Sequence, residues 1–77
     1  MTIYLTEHRD YLDYNYHIGV SDSIEIAHKQ IRSYFGGRKI EIVETNIEKY
    51  FTHLVVRPEG GELNNVFIYN LELNEVK

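Results

Sequence analysis

Asp22-Ser23-Ile24-Glu25-Ile26-Ala27-His28-Lys29-Gln30-Ile31-Arg32-Ser33-Tyr34-Phe35-Gly36-Gly37 is the stretch on which the fold turns. Ile24, Ala27, Ile31 and Tyr34/Phe35 make one apolar stripe at helical spacing, which predicts an amphipathic helix over about residues 22–35. Asp22 or Ser21 can cap its start, and Glu25, three residues after Asp22, is placed as in a capping box. Gly36-Gly37 ends it, because glycine readily takes the left-handed conformation at a helix C-terminus. Glu25 in the first turn and Lys29 and Arg32 further on suit the helix dipole.

Outward from this helix the pattern changes from helical to alternating. Ile3–Thr6 is a short candidate strand. Tyr14–Val20 places Tyr14, Tyr16, Ile18 and Val20 on one face, with Tyr14 and Tyr16 expected inward and Asn15 and His17 outward. Lys39–Thr45 carries Ile40 and Ile42 on one face, and Thr45–Lys49 is read as the link to the next strand. Phe51–Arg57 is apolar on both faces, which suits a central strand. Pro58-Glu59-Gly60-Gly61 is a turn, so Phe51–Arg57 and Asn65–Leu73 form a hairpin. The last strand aligns Phe67, Tyr69, Leu71 and Leu73. The order is β-β-α-β-β-β. A lone helix must cover one sheet face, so the expected fold is α+β: one helix packed on a mostly antiparallel sheet of four to five strands, forming a single small domain over residues 1–77.

At 77 residues the margin of stability is small, and the absence of cysteine removes disulfides as a supplement. The core must be well packed, or dimerisation must extend it. Hydrophobic residues at 43% and charged residues at 26% argue against disorder. No apolar run is long enough to cross a membrane as a helix, and the N-terminal residues do not read as a signal peptide. A soluble, cytoplasmic protein is the expectation.

Catalytic and metal chemistry finds no foothold. His8, His17, His28 and His53 pair at no metal-ligand spacing. Glu7, Asp10 and Asp13 cluster before the second strand, but D-x-x-D in a tyrosine-rich loop reads first as a turn. Ser21, Ser23 and Ser33 lack the context of a nucleophile. Gly36-Gly37-Arg38-Lys39 follows a helix, so the helix N-terminal amides that hold phosphate are absent there. The expectation is a protein that is not an enzyme and has no cofactor and no metal.

The charge layout is more informative. Residues 28–39 hold Lys29, Arg32, Arg38 and Lys39 with no carboxylate, whereas the rest of the chain holds all 12 carboxylates, giving +4 against −8. Strand residues on one face repeat at about 6.6 Å. Duplex phosphates repeat at about 3.4 Å along each strand. Carboxylates such as Glu41, Glu44, Glu72, Glu75, Asp10 and Asp13 therefore have a spacing on the scale of a nucleic-acid backbone, and can attract a basic groove. Tyrosine is enriched at 7 of 77 residues, and it supplies amphipathic contact area favoured in interfaces. Tyr4, Tyr11 and Tyr50 are the anchors expected to be free for a partner.

Short length, no cysteine or tryptophan, mild acidity and richness in Tyr, Asn and Ile resemble the small early proteins of bacteriophages. The resemblance is compositional and spans the whole chain. It implies a non-enzymatic protein-binding domain in the host cytoplasm that inhibits a basic host nucleic-acid-binding protein through an acidic, DNA-like surface. The basic corner departs from that pattern and fits it only if it faces away from the partner or makes a dimer contact. A homodimer is expected, since a small sheet gains by pairing or packing. The alternative is direct nucleic-acid binding through Lys29, Arg32, Arg38 and Lys39.

Overall fold

The alternating segments become strands and the amphipathic segment becomes the helix in a computed structural model that describes residues 1–72. The elements are β1 (Thr2–Arg9), β2 (Asn15–Ser21), α1 (Ile24–Tyr34), β3 (Ile40–Ile47), β4 (Phe51–Pro58) and β5 (Asn64–Glu72). All four strand pairings are antiparallel, in the spatial order β2-β1-β5-β4-β3. The fold is α+β, with α1 packed on one face of a five-stranded sheet. Leu73 and Glu75 lie outside the described residues.

Helix capping differs in detail from the sequence reading. Ser23, rather than Asp22 or Ser21, is the N-cap: its hydroxyl accepts from the Glu25 and Ile26 amides. Ser21 instead donates its hydroxyl to the Ser23 carbonyl. At the other end the Gly37 amide reaches the Arg32 carbonyl at 2.9 Å, with Gly36 and Gly37 both at positive φ. That is a glycine-closed helix stop.

The core forms where the helical stripe meets the sheet. Ala27 and Ile31 pack with Leu54 and Val56 of β4 and Val66 and Ile68 of β5, and Tyr4, Ile18, Phe35 and Ile40 pack around them. Burying each large aliphatic side chain contributes about 1.5–3 kcal/mol. Gly19 lets the helix come close to β2, since a Cβ there would lie 2.5 Å from the Gln30 side chain, whose amide donates to the Val20 carbonyl. Thr6 is wholly buried on β1, and its hydroxyl has no hydrogen-bond partner among the described residues. An unsatisfied buried hydroxyl costs about 1–3 kcal/mol. Thr6→Val is therefore expected to raise the melting temperature by roughly 4–8 °C or more. An unchanged or lower melting temperature in a thermal melt would contradict this.

Three strand readings change. β3 runs on to Ile47, because Thr45, Asn46 and Ile47 pair with Leu54, His53 and Thr52 of β4, so the link is shorter than Thr45–Lys49. β1 runs to Arg9, well past Thr6, because Glu7, His8 and Arg9 pair with β2 on one side and β5 on the other. The pairing of β1 with β2 shifts register between Thr6 and Glu7, leaving Ile18 as the extra residue of a bulge. A bulge reverses the facing of the residues beyond it. The strict alternation from Tyr14 to Val20 is broken, so Tyr16 lies on the helix side and Val20 on the opposite side. Tyr14 and Tyr16, expected inward, are 62% and 46% exposed. β4 is interior to the sheet, while β5 holds the centre.

Candidate functional site

A single helix covers only one face of five strands. On β4 and β5 the residues that alternate with the core, namely Phe51, His53, Val55, Phe67, Tyr69 and Leu71, fall on the other face, and no described element packs over it. Ile3 and Leu5 of β1 and Val20 of β2 extend it, through the register Ile3↔Leu71, Leu5↔Tyr69 and Leu5↔Val20. These side chains are half-buried against one another, with Val20 and Leu71 more open.

The middle of this face is a fixed stack across three strands. The His53 ring lies parallel to Phe67 at 4.6 Å between centroids. The Arg9 guanidinium sits 4.5 Å from the Phe67 ring centroid. Two further hydrogen bonds hold the outer members: His53 Nε2 pairs with Asn65 Oδ1 at 2.9 Å, and Arg9 Nε donates to Asn15 Oδ1 at 3.1 Å. Phe51 continues the cluster with tilted contacts to Phe67 and Tyr69, and Tyr69 stacks on Phe67 at 6.1 Å. Phe67 is thus contacted by a ring and a guanidinium, so a nucleic-acid base has no unoccupied platform on it.

Charge on the open face is unevenly committed. Arg57 donates to Glu41 Oε1 through both Nε and Nη2, and Arg9 is held between Asn15 and Phe67. Glu7 and Glu44, which face Phe67 and Val55 in the register, have no ion-pair partner among the described residues. The uncommitted formal charge on this face is negative.

The carboxylates singled out in the sequence do not converge. Glu41 and Glu44 are on edge strand β3. Glu72 closes the opposite end of the sheet, accepting from the Thr2 hydroxyl. Asp10 and Asp13 lie in the β1–β2 hairpin tip. Among the expected anchors, Tyr11 and Tyr50 are 91% and 66% exposed, whereas Tyr4 is half-buried and packs on the core. Lys29 and Arg32 are on α1, across the sheet from the open face, and Arg38 and Lys39 follow the helix end. The sequence reading missed the Arg9–Phe67–His53 stack. Its signal was present in the two apolar faces of β4.

Asp10 organises the hairpin tip. Its Oδ1 accepts from the Leu12 and Tyr14 amides and its Oδ2 from the Tyr16 hydroxyl, while Asp13 closes the turn at φ 63°. Desolvation pushes the Asp10 carboxyl up, but the Tyr14 and Leu12 amides, the Tyr16 hydroxyl and nearby His8 outweigh it and hold it below its ordinary 3.8. The same bond to Asp10 raises the Tyr16 phenol. A depressed folded pKa means that the stabilisation is present above pH 3.8 and disappears as pH falls through the lower folded value. Asp10→Asn keeps an acceptor but loses the charge. The stability gap between wild type and Asp10→Asn is expected to be open at neutral pH and to close below the carboxylate range. Parallel melts against pH check it, and a constant gap would contradict it.

Among the described residues no helix is long and apolar enough to cross a membrane, and no group of three or more His, Cys, Asp or Glu is placed to hold a metal ion. Comparison with family models, curated proteins and solved structures finds no match to this chain.

Proposed function

We propose that this chain is a non-enzymatic protein-binding domain that takes a basic partner protein on its helix-free sheet face. The observation that carries this reading is the uncovered aromatic and aliphatic face whose arginines are already engaged, leaving Glu7 and Glu44 to meet cations. The stack of Arg9, Phe67 and His53 is ordered before binding, so little side-chain entropy is lost on contact. Face docking is favoured over edge pairing because both edges are blunted. β2 carries a bulge at Ile18, and β3 carries one at Val43 together with Glu41 and Glu44.

The finer reading is that the partner is a host nucleic-acid-binding protein and that occupation of its basic surface inhibits it. It rests on the acidic excess and on the resemblance to small phage proteins. Lys29 and Arg32 belong to the helix, across the sheet from the proposed docking face, whereas Lys39 lies just before β3 beside Glu41 and Arg57. The test is capture from bacterial lysate on the tagged protein, with and without nuclease, eluted by rising salt. A stoichiometric basic protein that survives nuclease and leaves with salt is the expected result. Recovery lost on nuclease treatment, together with a mobility shift of random duplex DNA by the domain alone, would replace this reading with direct nucleic-acid binding through the basic segment.

A further inference from the structure

On the helix side, the last turns of α1 and the start of β3 leave a cleft of about 50 Å³ lined by Ile31, Ile40, Ile42, Leu54, His28 and Arg32. A single water needs only about 10–15 Å³, so the cleft has room for the end of an aliphatic side chain. Its wall is open at Ile42, which is 48% exposed, and its rim carries His28 and Arg32 of the basic segment. The β1–β2 hairpin tip has the complementary chemistry. Tyr11 and Leu12 stand out between Asp10 and Asp13, with Leu12 59% exposed. The tip is also rigid. Asp10 N donates to Tyr14 O at 3.1 Å, Asp13 N to Asp10 O at 3.1 Å, and the Asp10 carboxylate ties down Leu12 and Tyr14. An apolar knob held in one shape and flanked by acid matches an apolar cleft rimmed by base.

We infer that the occupant of this cleft is a second copy of the chain, with the Tyr11-Leu12 tip of one protomer seated against Ile40 and Ile42 of the other and Asp13 facing Arg32 and His28. The contact uses the helix side, so it leaves the open sheet face available and is independent of the basic partner proposed for that face. A two-fold arrangement lets each protomer give one tip and receive one, which closes the assembly at a dimer.

A charge swap tests it by sedimentation. The wild type is expected to show a mass that rises to a dimer with concentration. Asp13→Arg and Arg32→Asp each put like charges at both contacts and are expected to weaken self-association at least tenfold. An equimolar mixture of the two variants restores opposite charges at both contacts of each mixed dimer, so its association should return to near wild type. Leu12→Ser weakens association without touching charge, and circular dichroism confirms that each variant is folded. A concentration-independent monomer mass up to ~1 mM, or dimers of both charge variants as tight as wild type, would overturn the inference. So would failure of the mixture to recover.

Discussion

Leu54→Ala is expected to bring the domain close to unfolding. Leu54 is 2% exposed and lies where β4 meets the helix, packed with Ile31, Val56 and Val66. Large-to-small substitution at such a site costs about 2–5 kcal/mol, because the cavity collapses only in part. A domain of 77 residues has a total stability of roughly 4–12 kcal/mol. The fully buried aliphatic set is only Ala27, Ile31, Leu54, Val56, Val66 and Ile68 among the described residues, so little else can compensate. A melting temperature lower by at least ~8 °C is expected, with Ile68→Ala similar. Ile47→Ala, at a side chain 79% exposed on β3, should change stability by less than about 0.5 kcal/mol. If Leu54→Ala melted with the wild type, the helix would not be packed on this face of the sheet.

The second large effect concerns the open face. Phe67→Ala removes the centre of the stack and releases Arg9 and His53 at once. A buried aromatic anchor is worth about 2 kcal/mol or more in an interface, or roughly 30-fold in affinity. The captured partner should therefore bind Phe67→Ala at least about 30-fold more weakly. Glu44→Lys should act differently, by slowing association and flattening the dependence on salt, since a charge at the rim steers encounter more than it holds the complex. Lys29→Glu, on the helix across the sheet, should leave partner binding unchanged. Titration calorimetry with the captured protein separates these outcomes. Equal affinity of wild type and Phe67→Ala, with loss in Lys29→Glu, would move the interface to the helix side.

Much of the fold is legible in the sequence because local signals agree with one another. The helix announces itself through one apolar stripe and a glycine pair, and the last hairpin through two strand-like apolar segments on either side of Pro58-Glu59-Gly60-Gly61. β1 reads short because Glu7, His8 and Arg9 look polar in isolation. They are held in a strand by two neighbours, which is a tertiary effect. The reversal along β2 is invisible because a bulge at Ile18 is a property of pairing with β1 and leaves no mark on the alternation itself. The cap falls to Ser23 because Ser21 is committed to the Ser23 carbonyl.

The candidate site is legible in its parts and hidden in its assembly. Phe51–Arg57 is apolar on both faces, and one helix cannot cover both. That arithmetic already implies an open face, although not which residues stack on it. The carboxylates are visible as a count, but their places depend on strand order, which puts Glu41 and Glu72 at opposite ends of the sheet and Asp10 and Asp13 on a projecting hairpin. The placing of Lys29 and Arg32 on the helix side likewise needs the topology, whereas Arg9 and Arg57 sit on the open face.

Hydroxyl-radical footprinting of the captured complex against the unbound domain tests the central claim most directly, since phenyl and phenol rings report their own exposure. Phe51, Phe67, Tyr69 and Leu71 are predicted to lose reactivity together on binding, while Ile26 and Tyr34 of α1 keep theirs. Unchanged reactivity at Phe67 and Tyr69, with protection confined to α1 and the Gly36–Lys39 segment, would contradict the account.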